Sequence, residues 1–166
     1  DEVMSDPIAA KYVRPFRMGK ELVRGLDRWC LWLEKISPRE IAQSSVLLTR
    51  LENIAQMRRL STKKATQKLA ETPYLFGENQ QPHNNYVGIP RVVSEQRPYY
   101  TVAYLPAEVI AGDKVYTASD PDGFLFSIIS SSMFIAWQRT VGGRMKSDLS
   151  FSNTIVWNNL SLPPVS

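Results

Sequence analysis

The sequence predicts an α+β fold: a single compact domain of mixed or antiparallel strands, with a basic helical region after the second strand and a buried apolar helix near the C-terminus. Three observations predict it. The 166 residues suffice for one core, and 43% apolar with 22% charged residues is the balance of an ordinary globular chain. Short runs rich in aromatic and β-branched residues alternate with proline- and glycine-marked turns. Two longer stretches, residues 37–72 and 124–137, carry helix-start signals and helical apolar spacing.

Taken in order, Tyr12-Val13-Arg14-Pro15-Phe16 reads as a short strand that Pro15 confines to an edge or strand end, with residues 17–20 as the turn that follows. Residues 28–33, dense in aromatic and branched side chains, make the second strand. Ser37-Pro38-Arg39-Glu40 supplies a hydroxyl cap, a proline at the first helical position and a glutamate at the third, so a helix starts there behind a capping box. Ile41, Leu47, Leu48, Leu51, Ile54 and Ala55 keep a helical period, Ser61-Thr62 offers a break and a new cap, and Thr72-Pro73 ends the stretch. Residues 74–85 form a polar loop. Residues 87–93 and 99–105 read as two strands joined by a turn over 94–98, and residues 110–117 add one or two short strands. Asp120-Pro121-Asp122 opens another helix, and residues 124–137 are so apolar that this helix must be largely buried. Residues 139–153 are polar and contain Gly142-Gly143, and Thr154-Ile155-Val156-Trp157 returns to strand character.

The formal charge of +4 is unevenly placed. Residues 50–68 hold six basic side chains (Arg50, Arg58, Arg59, Lys63, Lys64, Lys68) against Glu52 alone, a net +5, so the rest of the chain carries about −1. Such a concentration suits an anionic partner, nucleic acid or a membrane surface, although a solvated helix face accounts for the same charges. The lone Cys30 lies in an apolar run and cannot form an internal disulfide, which fits an intracellular, cytoplasmic protein. No stretch approaches the 18 or so apolar residues of a membrane span, and the acidic opening lacks the features of a signal peptide. The chain begins at Asp1 and ends Leu162-Pro163-Pro164-Val165-Ser166, and is read as a fragment, residues 1–166 being one domain of a larger protein with residues 160–166 as an exit linker.

Catalytic constellations lack parts. The one histidine, His83, sits in a polar loop without cysteine or acid clusters, so neither a metal site nor a serine-histidine triad can be assembled. Asp113, Asp120 and Asp122 could pair as acids of a small hydrolase, yet all three lie in turn-like sequence where capping explains them. No phosphate-cradling or dinucleotide-binding glycine motif occurs. Binding chemistry is better supplied. Arg58, Arg59, Lys63 and Lys64 suit phosphates, as do Arg139 and Arg144 near the second polar segment, with Arg91 and Arg97 as weaker candidates that could only brace the fold. If residues 146–152 are extended, Lys146, Asp148, Ser150 and Ser152 face one way while Met145, Leu149 and Phe151 face the other; an ordinary half-buried strand has the same pattern.

The string Gly143-Arg144-Met145-Lys146-Ser147-Asp148-Leu149-Ser150-Phe151-Ser152-Asn153-Thr154-Ile155-Val156-Trp157-Asn158-Asn159 resembles a hallmark of target-recognition domains in MmeI-like type II restriction-modification enzymes. Arg14-Pro15-Phe16 with residues 24–33, the stretch 59–76 (RLSTKKATQKLAETPYLF), and residues 90–99 resemble the same family in the same order. The resemblance implies a parent polypeptide that joins this domain to an adenine-N6 DNA methyltransferase domain using S-adenosylmethionine, often behind an endonuclease. It implies double-stranded DNA and that methyltransferase domain as partners, no membrane, and neither catalysis nor cofactor in these residues, since the Asn-Pro-Pro-Tyr type motif is absent. It also implies base-reading side chains at alternate positions, on which Lys146 and Asp148 fall, with Ser150 serving a neighbouring base. Lysine can donate to guanine O6 and N7 and aspartate can accept from cytosine N4, so the pair suits a G·C base pair. A stand-alone basic module that binds RNA or protein is the alternative.

Overall fold

The computed structural model describes residues 2–162 and has the α+β architecture, in two compact units that comprise, among the described residues, 2–14 with 29–79, and 15–28 with 80–162. Of the linker expected over residues 160–166, residues 163–166 lie outside the described residues. In chain order the elements are α1 (Glu2–Ser5), a 3-10 turn (Ala9–Tyr12), β1 (Val13–Arg17), α2 (Gly19–Arg24), β2 (Trp29–Leu31), α3 (Pro38–Gln43), α4 (Ser45–Arg59), α5 (Lys64–Lys68) and a second 3-10 turn (Leu69–Glu71). There follow β3 (Tyr86–Pro90), β4 (Val92–Val93), β5 (Ala103–Leu105), β6 (Ile110–Ala111), β7 (Val115–Ser119), α6 (Phe124–Ile129), α7 (Ser132–Val141), β8 (Gly143–Met145), β9 (Asp148–Ser150) and a π-helical turn (Asn153–Trp157).

The first unit is built around Ala9, Leu33, Leu47 and Leu51, with Ile8, Tyr12, Ile36 and Ile41 packed at its margin. The capping box forms as read: Ser37 Oγ accepts from the Glu40 amide at 3.3 Å, and Glu40 Oε2 accepts from the Ser37 amide at 3.0 Å. The single helix expected to run on from it is two helices. Ser44 is extended (φ −110°, ψ 107°) and its hydroxyl accepts from the Leu47 amide at 3.1 Å, starting α4 afresh. The same hydroxyl donates to Asp6 Oδ2 at 2.6 Å, while Asp6 Oδ1 accepts from the amides of Ile8 and Ala9, each at 2.8 Å. Apolar spacing conceals this break because Ile41 and Leu47 belong to one core on either side of it. The expected break at Ser61-Thr62 is present, and α5 begins at Lys64.

The second unit holds a core of Val87, Ile89, Val93, Tyr100, Ile129, Phe134, Ile135, Leu149, Phe151 and Val156. Strand β3 is buried along its whole length and pairs antiparallel with β5 on one side and β7 on the other. Phe16 and Arg17 of β1 pair in parallel with Ile110 and Ala111 of β6. A further sheet, in the order β4-β9-β8, is antiparallel throughout. The strand expected over residues 87–93 is divided at Arg91, which passes the chain from one sheet to the other: its amide donates to the Lys114 carbonyl, and its carbonyl accepts from the Phe151 amide.

Three further expectations are corrected in this unit. Residues 17–20 are not merely a turn, because α2 starts at Gly19, where Glu21 Oε2 accepts from the Met18 amide at 3.2 Å, and it is closed by Gly25 at φ 63°. The apolar helix of residues 124–137 is also two helices. Buried Asp120 accepts from the amides of Leu125 and Phe126 at 3.0 and 2.9 Å to start α6, and Ser131 accepts from the Phe134 amide at 3.1 Å to start α7. Residues 154–157 are not a strand: Ser152 Oγ accepts from the Ile155 amide at 3.2 Å and winds them into the π-helical turn.

Candidate nucleic-acid interface

In the second unit, β8 and β9 make a hairpin with Gly143 opposite Ser150, Arg144 opposite Leu149, and Met145 opposite Asp148. Lys146-Ser147 is its two-residue turn. Lys146 therefore does not lie in the strand, as its alternation with Asp148 and Ser150 suggested; it stands at the tip with φ 58°, in the left-handed region that favours glycine. Leu149 is fully buried beneath, and Asp148 and Ser150 are presented on the opposite, partly exposed face of β9. Among the described residues, no hydrogen bond or ion pair engages the side chains of Lys146, Asp148 or Ser150. Their donors and acceptors are open to a base edge.

The two arginines expected nearby are tied to the segment 94–98. Arg144 Nη1 donates to Glu95 Oε2 at 2.9 Å and to the Ser147 carbonyl at 3.0 Å, clasping the hairpin turn. Arg139 Nη2 donates to the carbonyls of Glu95 and Arg97 at 3.1 and 2.9 Å, and Arg97 in turn donates to the Val23 carbonyl. Both Arg139 and Arg144 remain exposed, so a phosphate oxygen can still approach their free N–H groups. Glu95 was not singled out in the sequence, where it reads as one more charge in a turn.

Behind the hairpin, α7 buries Phe134, Ile135 and Gln138. Gln138 Nε2 donates to the Ser150 carbonyl at 3.1 Å, and the Gly142 amide donates to the Gln138 carbonyl at 2.9 Å. A Cβ at Gly142 would overlap the Gln138 side-chain amide and lie 2.5 Å from its carbonyl oxygen, so glycine is required here by close approach and not by its backbone angles, φ −75° and ψ 151°. The acids considered for hydrolysis have structural employment: Asp120 and Asp122 bond the first amides of α6, and Asp113 pairs with Lys114.

The basic residues of the first unit divide by role. Arg58, half-buried, donates to the carbonyls of Leu69, Thr72 and Leu75 at 2.8, 3.0 and 2.8 Å, which makes it a brace for the chain after α5. Arg59 is exposed and reaches Glu52 at 3.3 Å. Lys63 and Lys64 are exposed with no ion pair among the described residues, as is Lys68.

The chain matches the family described as MmeI, target recognition domain, over residues 1–164. It is 30% identical over 166 residues to DNA methyltransferase A of Bacillus subtilis (strain 168), covering all of this chain and 19% of that protein. Among solved structures it is similar to the type IIL restriction-modification enzyme MmeI in complex with DNA, at a TM-score of 0.87 and 32% identity over 94% of this chain and 21% of that one. The chain spans about a fifth of the length of both.

Proposed function

The chain belongs to the MmeI target-recognition-domain family, and from that premise we propose that it reads a duplex DNA sequence for a methyltransferase domain elsewhere in the same polypeptide. The observation that carries this reading is the β8–β9 hairpin, which presents Lys146, Asp148 and Ser150 without side-chain partners among the described residues, above the buried Leu149. In the major groove Lys146 donates to guanine O6 and N7, Asp148 accepts from cytosine N4, and Ser150 serves the neighbouring base. A carboxylate among phosphates would be repelled, so Asp148 belongs at a base edge.

Arg59, Lys63, Lys64, Arg139 and Arg144 supply the phosphate contacts that set orientation and salt dependence, whereas the donors of Arg58 are directed to the carbonyls of Leu69, Thr72 and Leu75. The parent polypeptide transfers a methyl group from S-adenosylmethionine to adenine N6, and both cofactor and reacting base lie outside these residues. Methylation of a base within a duplex requires that it be extruded from the stack; fixing the register of the duplex is what this domain contributes. A DNA partner supports a cytoplasmic location for the protein.

The test is a charge swap in the full-length polypeptide, Lys146→Glu with Asp148→Arg, followed by genome-wide mapping of methylated sites. The expected result is a change of preference at one base pair, from G·C toward its reverse, with the rest of the site unaltered. An unchanged site removes these residues from base reading.

A further inference from the structure

We propose that Gln138 is a positioning residue for base readout: its buried amide fixes the seat of β9 on α7 and so sets where Asp148 meets the base edge. The inference rests on the assignment of Asp148 to base reading. Gln138 is fully buried beside Phe134 and Ile135, on a helix face that an apolar residue would fill at lower desolvation cost. Its Oε1 has no hydrogen-bond partner among the described residues, so the amide does not complete a satisfied polar network. What it does make is one long-range bond, Nε2 to the Ser150 carbonyl at 3.1 Å.

Three elements converge on this side chain. It projects from the last turns of α7, it bonds the final residue of β9, and the Gly142 that precedes β8 must lack a side chain to make room for it. Gly142 is also bonded to the Gln138 carbonyl, so the start of the hairpin and its reading strand share one anchor. Asp148 lies two residues before Ser150 on the same face of β9, about 7 Å along the strand, close enough that a shift of the anchored carbonyl moves its carboxylate. Base discrimination tolerates displacement of only about 0.5 Å in the groups that make it. A buried polar group that leaves its own acceptor unpaired is explained by the geometry it imposes.

The experiment uses the full-length polypeptide and two duplexes, one with the preferred base pair at the Asp148 position and one with it replaced. The ratio of their methylation kcat/KM values is the discrimination. Gln138→Met keeps the volume and removes the unpaired Oε1, so the variant folds with its melting temperature nearly held. Discrimination falls about tenfold, within the range of one good base contact, while the salt slope of DNA binding is unchanged. Combined with Asp148→Ala, the same substitution produces no further loss, because Gln138 acts through Asp148. Unchanged discrimination, a loss that adds to that of Asp148→Ala, or a Gln138→Met chain that does not fold each overturns the proposal. If Asp148→Ala alone leaves discrimination intact, the base-reading assignment itself has failed; if Asp148→Ala lowers it and Gln138→Met does not, only the positioning role has.

Discussion

Arg58 and Arg59 are adjacent, equally charged and indistinguishable by composition, yet the structure gives them different work. Replacing Arg58 with methionine removes three hydrogen bonds to carbonyls that follow α5, two of which, those of Leu69 and Thr72, also accept from the amides of Thr72 and Leu75. A net contribution of about 1 kcal/mol per bond, reduced for partial exposure, gives an expected destabilisation of about 2–3 kcal/mol. Replacing Arg59 removes a pair with Glu52 in which both side chains are well over half exposed, at 60% and 70%, so the expected loss is below about 0.5 kcal/mol. Urea denaturation of the 166-residue chain reads both values. In the full-length polypeptide the order reverses: Arg59→Met lowers the salt slope of DNA affinity by about one, and Arg58→Met leaves it as it was. Equal destabilisation by the two substitutions, or loss of slope from Arg58→Met, refutes the division of roles.

Gly142→Ala places a methyl group against Gln138 and is expected to destabilise by about 1–3 kcal/mol, measurable by thermal denaturation. Lys146→Gly relieves the left-handed strain at φ 58° and is expected to stabilise by about 1 kcal/mol while weakening the preference for guanine, so stability and sequence discrimination move in opposite directions. The Ser44 hydroxyl and then the Ala9 amide hold the Asp6 carboxyl below its ordinary value of 3.8, and the Ser37 hydroxyl and amide hold Glu40 below 4.5. Because the folded values are the lower ones, the stability they contribute is complete above these ordinary values and is lost as pH falls through the folded ones. Asp6→Asn should flatten the acid limb of a pH–stability profile, and an unchanged limb would exclude Asp6 from it.

Local chemistry was legible in the sequence wherever a side chain bonds its own neighbourhood. The Ser37–Glu40 box, the Ser61-Thr62 break and the helix start at Asp120-Pro121-Asp122 all stand where residue type and spacing put them. Periodicity failed where it cannot report a change of direction. Ile41 and Leu47 share a core across Ser44, and the apolar run of residues 124–137 continues across Ser131, so each pair of helices read as one. Thr154-Ile155-Val156-Trp157 has strand composition, but Ser152 caps it into a helical turn and Val156 is buried from there.

The candidate site was half legible for the same reason. Alternation placed Asp148 and Ser150 on one face correctly, because they share a strand with the buried Leu149. It could not show that Lys146 stands in the turn, since a lysine with positive φ has no compositional signature. Arg58 looked like its neighbours because its acceptors are backbone carbonyls 11, 14 and 17 residues away. Gln138 gave no signal beyond a polar residue at the end of an apolar run, because its partner is the backbone carbonyl of Ser150, 12 residues away.

The central claim, that this domain reads bases through the β8–β9 hairpin, is tested most directly by selecting binding sites from randomised duplexes with the full-length polypeptide and with its Asp148→Ala variant. The account predicts that one base pair of the selected site loses its preference and the others keep theirs. A selected site identical to that of the unaltered protein, or one in which every position weakens together, would contradict it.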